Sequence, residues 1–448
     1  MKNKLFAFFA WIKSFFTTLG SVFSAGEKII ISALVIILIV SGIVLLRHSY
    51  LDTTTEVANY GGTYREGVVV KNKDELTGTV NRLTKIGLTA FDDKGNIIPE
   101  VAESWEVSED TTTYTFTIKS NFSRDEIVKT VEKQKDIWPG IQISPEADNK
   151  IIFKFPQSYS PFLASTTEPI LPYGPYKLVN NGVTEMNFVR NDDFYKGKPY
   201  LEKIVIDIYP NNTELVKAYK AKDIDGVYYV ENSVDYKQLN SYTFSLPRYN
   251  MIFFNTTRDV FKDKEVRKNI AEGKTLEQPI NITLVSLDNE KNRALVSDLQ
   301  TKWQAQNITM DVYYKSAEEL INNIIPARDY DVLVYGLNYG VDPDPYPFWH
   351  STQAVSTGLN LSNFSNIDAD VALEEARKTS DPKTRQEKYD EFWQIFNAEV
   401  PAIIVSQDQW TFGVSDKYHG ITTGYTINPE DRFANIKDWY LKTKRVKK

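Results

Sequence analysis

The residues best equipped for chemistry stand together between Asn338 and His350, in the run NYGVDPDPYPFWH. Asp342 and Asp344 each precede a proline, which fixes its own φ and pushes the residue before it toward extended conformations. The loop is therefore stiff. Tyr339, Tyr346, Phe348, Trp349 and His350 surround the two carboxylates with flat side chains. Such a composition suits a pocket that stacks on a ligand and orients it with few polar groups. Tyr339, Asp342, Asp344, Tyr346 and Trp349 are the expected ligand contacts, with Asn338 and His350 as further polar candidates. The bland alternative is a surface turn whose aromatics pack on their own domain, since loops on rigid scaffolds also simply connect. A hydrolase using Asp342 and Asp344 is a lesser alternative, because acids two residues apart do not supply the separated acid and base of a glycosidase.

The elements around this loop must hold it. Asp331–Leu337 is rich in Val, Leu and Tyr, and predicts a strand over Val332–Tyr335 inside a sheet, ended by Asn338 and Gly340. Asn281–Val285 and Ile308–Tyr314 read as strands flanking a helix over Ala294–Gln306, a strand-helix-strand unit whose sheet the loop's strand extends. Asp368–Arg377 and Pro382–Glu399 read as helices with Tyr389, Phe392, Trp393 and Phe396 at helical spacing, more core than ligand box. Pro401–Val405 is a short strand leading back to the first half of the chain.

That first half alternates short strands and turns. Asp92–Asn96 has the composition of a hairpin turn. Pro99–Trp105 looks helix-like, Thr113–Lys119 alternates as a half-buried strand, and Ser123 with Glu126 caps a helix over Arg124–Gln134. Ile151–Phe155 is a further strand.

With 448 residues the chain has material for two or three domains. A net charge of -7 argues against nucleic-acid binding, which needs a basic face. The absence of cysteine excludes disulfides and thiolate chemistry, and three scattered histidines (His48, His350, His419) offer little to a metal site or a Ser-His-Asp arrangement. No cofactor is called for. Ile29–Leu46 is free of charge and just long enough to span a bilayer, and Lys2, Lys4, Lys13 and Lys28 before it place the N-terminus in the cytoplasm. Residues 1–26 are compatible with a helix lying on the membrane surface. An uncleaved anchor is preferred to a signal peptide, because no A-x-A site follows Leu46. Leu51–Asn59 reads as a polar tether, and the basic tail KRVKK carries no assigned role.

The order GGTYREG, FDDKGNIIPEVAESWEVSEDTTTYTFTIK, SRDEIVKTVE, FKFPQSYSPFLA, YGPYKLV and NDDFYKGKPYLEKIVIDIYPNNTELVKAYKAKDID resembles the extracytoplasmic solute-binding proteins of family 5. These are the peptide, oligopeptide and nickel receptors of ABC importers. The resemblance continues through MIFFNTT, FKDKEVRKNI and ALVSDLQTKWQAQNITMDVYY to the helices before Val405, and covers most of residues 60–425. It implies a two-lobed, hinged, mixed α/β periplasmic-binding-protein-like fold of class II behind an N-terminal transmembrane helix. Residues 1–57 are then the cytoplasmic N-terminus, anchor and tether. Residues 58–253 with 405–448 form lobe 1, and residues 254–404 form a shortened lobe 2. The implied function is capture of a peptide or similar solute for the permease and ATPase of an ABC importer, without catalysis and as a monomer. Tyr173, Asn255 and Trp410 are added as contacts from the other lobe and the hinge.

Two departures stand out. Peptide receptors of this family carry an aspartate just before the Asp-Pro pair that grips the peptide amine; here the matching positions are Tyr339 and Val341, which leaves Asp342 or Asp344 to act from a shifted position. After Ile270 the chain goes almost directly into Thr275–Ile280, which shortens lobe 2. A receptor fold kept as an interaction or sensory module, no longer enclosing a solute, is the alternative function.

Overall fold

Sixteen residues from Leu239 to Phe254 form the long strand on which the sheet is built. A computed structural model describes residues 14, 24–135, 138, 140–230 and 236–448. They divide into two compact units, one holding the described residues up to Tyr60 with Tyr440–Lys448, the other Gly61–Trp439.

The larger unit contains a ten-stranded mixed sheet. Its strands in chain order are β1 (Thr63–Val69), β2 (Tyr176–Asn181), β3 (Glu185–Arg190), β4 (Lys203–Tyr209), β5 (Gly226–Val227), β6 (Leu239–Phe254), β7 (Ile280–Leu287), β8 (Ile308–Lys315), β9 (Val332–Asn338) and β10 (Ala402–Ser415). In space they run β8-β7-β9-β6-β10-β5-β1-β4-β3-β2. The antiparallel pairing of β6 with β10 breaks between Ser245 and Tyr249. Pro247 lies in the break and has no N–H to give to a ladder. Gln407 Nε2 donates to the freed Leu246 carbonyl at 2.9 Å, and the Tyr339 N–H to that of Pro247 at 2.9 Å. On one side of the break β6 and β10 pair with each other beside β5 and β1; on the other, β6 also pairs with β9.

Around β6, β7 and β9 the sheet is covered on both faces, which is why its strands read as apolar runs. Ile252, Phe254, Ile282, Leu284, Val332 and Val334 share a core with Val296 and Trp303 of the helix Glu290–Gln304. Met251, Phe253, Leu333 and Leu337 face a core with Phe392 and Phe396. The latter come from α3 (Pro382–Glu399), which packs with α2 (Ile367–Arg377). A third core, with Tyr114, Phe116, Phe153 and Phe162, lines a four-stranded antiparallel sheet of Ala102–Val107, Thr113–Ile118, Lys150–Lys154 and Gln142–Glu146.

The strand-helix-strand unit, both later helices and the hairpin at Asp92–Asn96 form as expected, the hairpin with Gly95 at φ +84°. Ser123 Oγ caps Arg124–Glu132 by accepting from the Glu126 N–H. Pro99–Trp105 is not helix-like: Ala102–Val107 is a strand with Trp105 opposite Phe116. Its glutamates favour helix locally, but pairing with the alternating strand Thr113–Ile118 prevails.

In the smaller unit, α1 (Ala25–Thr53) starts at a capping box formed by Ser24 and Glu27 and buries none of its residues. It is long and apolar enough to cross a membrane, with mean hydropathy 3.3 over its most apolar window. The expected tether at Leu51–Asn59 is structured instead. The helix runs on to Thr53, and Thr54–Asn59 pairs antiparallel with Lys442–Lys447. The surface helix expected within residues 1–26 falls, but for Ser14 and Ser24–Gly26, outside the described residues.

Candidate functional site

Where β9 ends, the Asn338 side chain accepts from the Gly340 N–H at 3.0 Å, and Gly340 turns the chain at φ +68°. The next residues point in opposite directions. Val341 faces a cleft in the larger unit, whereas Asp342 and Asp344 are buried and turn toward α2 and α3. Arg385 of α3 grips Asp342 with a two-pronged fork at 2.8 and 2.7 Å. Arg377 of α2 holds Asp344 through Nε at 2.7 Å and Nη2 at 2.5 Å. The Tyr389 hydroxyl joins the pairs, accepting from Arg385 at 2.6 Å and donating to Asp344 at 3.3 Å. Burial pushes the Asp342 carboxyl up and the Arg385 fork opposes it, while the carboxylate raises the guanidinium in return. The other Asp344 oxygen accepts from the Tyr346 N–H at 3.1 Å, fixing the start of the short helix Tyr346–Trp349.

The loop aromatics complete the fastening. Trp349 is fully buried, stacks on Phe253, meets Phe396 edge-on and donates to the Tyr339 hydroxyl at 2.9 Å. Burial also raises the Tyr339 phenol. Tyr346 lies between the Arg377 guanidinium, 3.8 Å from its centroid, and the His350 ring at 4.1 Å. His350 Nδ1 accepts from the Thr352 N–H at 3.2 Å, and its Nε2 is turned toward Glu374 at 3.4 Å and Asp370 at 3.8 Å. Asp342, Asp344, Tyr339, Tyr346, Trp349 and His350 are thus brought together as a packed knot. Both carboxylates are spent on guanidinium groups, so neither is placed as an acid, a base or an open ligand contact.

The contacts expected from elsewhere do not join them. Asn255 is buried; its amide donates to the carbonyls of Arg328 and Tyr330, and its oxygen accepts from Thr257 and Asn363. Tyr173 donates to Glu126 at 3.2 Å and packs on Phe122. Trp410 donates to the Tyr228 carbonyl at 3.0 Å and borders a separate hollow with Val69 and Leu215.

The cleft that Val341 faces has a volume of about 240 Å³. Its opposite wall combines Arg82, Lys85, Phe91, Glu168, Tyr425 and Asn428. Asp431 pairs with Arg82, and its other oxygen accepts from the N–H groups of Ile427 and Asn428 at 2.9 Å each. The next residue, Arg432, forms a fully buried pair with Glu66 of β1 at 2.6 Å. These pairs fasten the 425–438 wall to β1 and to the helix Thr77–Thr84. Glu168 accepts no hydrogen bond from the described residues, and burial raises its carboxyl above the usual range, with Arg82 opposing. None of these wall residues was expected from sequence. They come from four separated segments, and no local pattern marks them.

Residues 139–273 match the model for bacterial extracellular solute-binding proteins, family 5, middle. Over that stretch the chain is similar to the family 5 solute-binding proteins. Among curated relatives, the oligopeptide-binding protein AppA of Bacillus subtilis is 20% identical over 56% of this chain and 58% of the relative. The nickel-binding periplasmic protein of Escherichia coli is 24% identical over 32% of this chain and 35% of the relative. Each match thus spans less than two thirds of the relative's length. The fold is that of the ABC transporter substrate-binding protein CtaP from Listeria monocytogenes, with TM-score 0.72 and 20% identity, covering 86% of this chain and all of that one. AppA of B. subtilis in complex with a nonapeptide follows with TM-score 0.62 and 18% identity, over 86% of this chain and 100% of its own. The two-lobed α/β substrate-binding fold is therefore that of this chain, and the relatives are binding proteins rather than enzymes.

Proposed function

We propose that this protein is a membrane-anchored, extracytoplasmic receptor that closes two lobes around a peptide or similar solute and presents it to the permease and ATPase of an ABC importer. Residues 58–253 with 405–448 would form lobe 1 and residues 254–404 lobe 2. The observation that carries this reading is the cleft, faced by Val341 after β9 and by Arg82, Lys85 and Glu168 opposite. A ligand touching both walls favours the closed state by its differential affinity. Glu168 takes over the amine grip that the family places before the Asp-Pro pair, because Val341 carries no charge. Ile29–Leu46 anchors the monomer with its receptor domain outside.

The test is native mass spectrometry of the full chain purified in mild detergent, followed by calorimetry with short peptides and with a nickel-histidine complex. Retained peptides, with weakened binding after N-terminal acetylation, support the reading. An empty protein that binds neither refutes it. One observation favours the alternative, an interaction or sensory module: the cleft is smaller than the ~300–1,000 Å³ of ordinary ligand sites. In that case the empty protein also shows no compaction with any solute.

A further inference from the structure

The smaller unit brings the basic tail back to the end of the apolar helix. Thr54 lies opposite Lys447 and Asn59 opposite Lys442 in an antiparallel ribbon. The Lys448 N–H extends it, donating to the Thr53 carbonyl at 3.0 Å. Arg445 pins the ribbon to the last helical turn, donating to the Thr54 hydroxyl at 2.9 Å and to the carbonyls of Thr54 at 2.9 Å and Leu51 at 3.2 Å. A cation at that position satisfies carbonyls that a helix leaves open at its C-terminus.

This corner is basic in a chain of net charge -7. The segments that build it, 47–59 and 442–448, carry Arg47, Lys442, Lys444, Arg445, Lys447 and Lys448 against two side-chain carboxylates, Asp52 and Glu56. Asp52 is taken by His48 at 2.6 Å, and Glu56 reaches Arg445 and Thr443. Lys442, Lys444, Lys447 and Lys448 are exposed. The apolar run ends at Leu46, and Arg47–Thr53 adds about 10 Å of helix at 1.5 Å per residue. The headgroup layer occupies roughly 5–7 Å on each side of the hydrocarbon. Lys447 and Lys448, fixed beside Thr54 and Thr53, therefore reach the headgroups within a Debye length of about 8 Å.

We propose that Lys447 and Lys448, at the helix end of the ribbon, are an electrostatic foot that binds the phosphates of anionic lipid headgroups in the leaflet from which α1 emerges. It rests on reading α1 as a membrane anchor. The experiment uses the full chain in nanodiscs of phosphatidylcholine alone or with phosphatidylglycerol, and reads amide hydrogen exchange over residues 442–448. Each lysine near an anionic surface is worth about a five-fold change in equilibrium. Exchange is expected to slow at least about five-fold in the anionic discs, with high salt removing the difference. The double variant Lys447→Gln, Lys448→Gln loses the slowing, while the same positions changed to Arg keep it. Unchanged exchange of the Gln variant in phosphatidylcholine shows that the ribbon still forms. Equal exchange in both discs, or a difference that survives in the Gln variant, overturns the foot and leaves the anchor standing. Failure to enter either disc overturns both.

Discussion

Changing Asp342 to Asn asks whether this carboxylate holds the protein together or holds a ligand. Its side chain is 7% exposed and that of Arg385 17%, so the pair is nearly removed from water. Removing one partner of a buried, two-pronged pair leaves an uncompensated charge inside, a cost of about 3–5 kcal/mol. Arg385→Met strands Asp342 and costs a similar amount. The double variant loses both charges together, so it is less destabilised than the two singles combined, with a coupling of about 2 kcal/mol or more. Urea denaturation of the four proteins, followed by tryptophan fluorescence, measures this, since Trp349 is buried in the same knot. Asp342→Asn within about 0.5 kcal/mol of the parent, the range of an ordinary surface change, together with lost ligand affinity, would refute the fastening role and restore Asp342 as a ligand contact.

Three further outcomes are expected. Glu168→Gln weakens binding of free-amine peptides but stabilises the empty protein. Its raised folded pKa makes Glu168's contribution to stability greatest below its unfolded pKa and lost as pH rises through the folded one, so the gain from Gln appears above that window, in melting curves taken across mildly acidic to neutral pH. Trp349→Ala removes a fully buried ring and costs about 3–5 kcal/mol in urea titrations. Val341→Trp narrows the cleft and lowers peptide affinity in calorimetry while leaving the urea midpoint in place, because Val341 is only partly buried.

The parts of the fold legible in sequence are those with local periodicity. Tyr114, Phe116 and Ile118 alternate inward as their spacing requires, and Phe392 and Phe396 face the core from α3. Pairing between distant segments was less visible. Lys442–Lys447 shows no apolar alternation and becomes a strand through Thr54–Asn59, nearly four hundred residues earlier. The same limit applies to the site. The Asp-Pro loop and its stiffness are legible locally, but Arg377 and Arg385, which turn its acids inward, lie on helices 33 and 43 residues away. Glu168 and Arg82 join Val341 only through the folded cleft.

Closure around a solute is read out by small-angle scattering. A chain beginning at Asp52 is measured with and without a mixed peptide pool, alongside mass spectrometry of what it retains. A receptor that closes has a smaller radius of gyration with a bound peptide, and loses that compaction in Glu168→Gln. Unchanged dimensions and an empty protein would contradict closure.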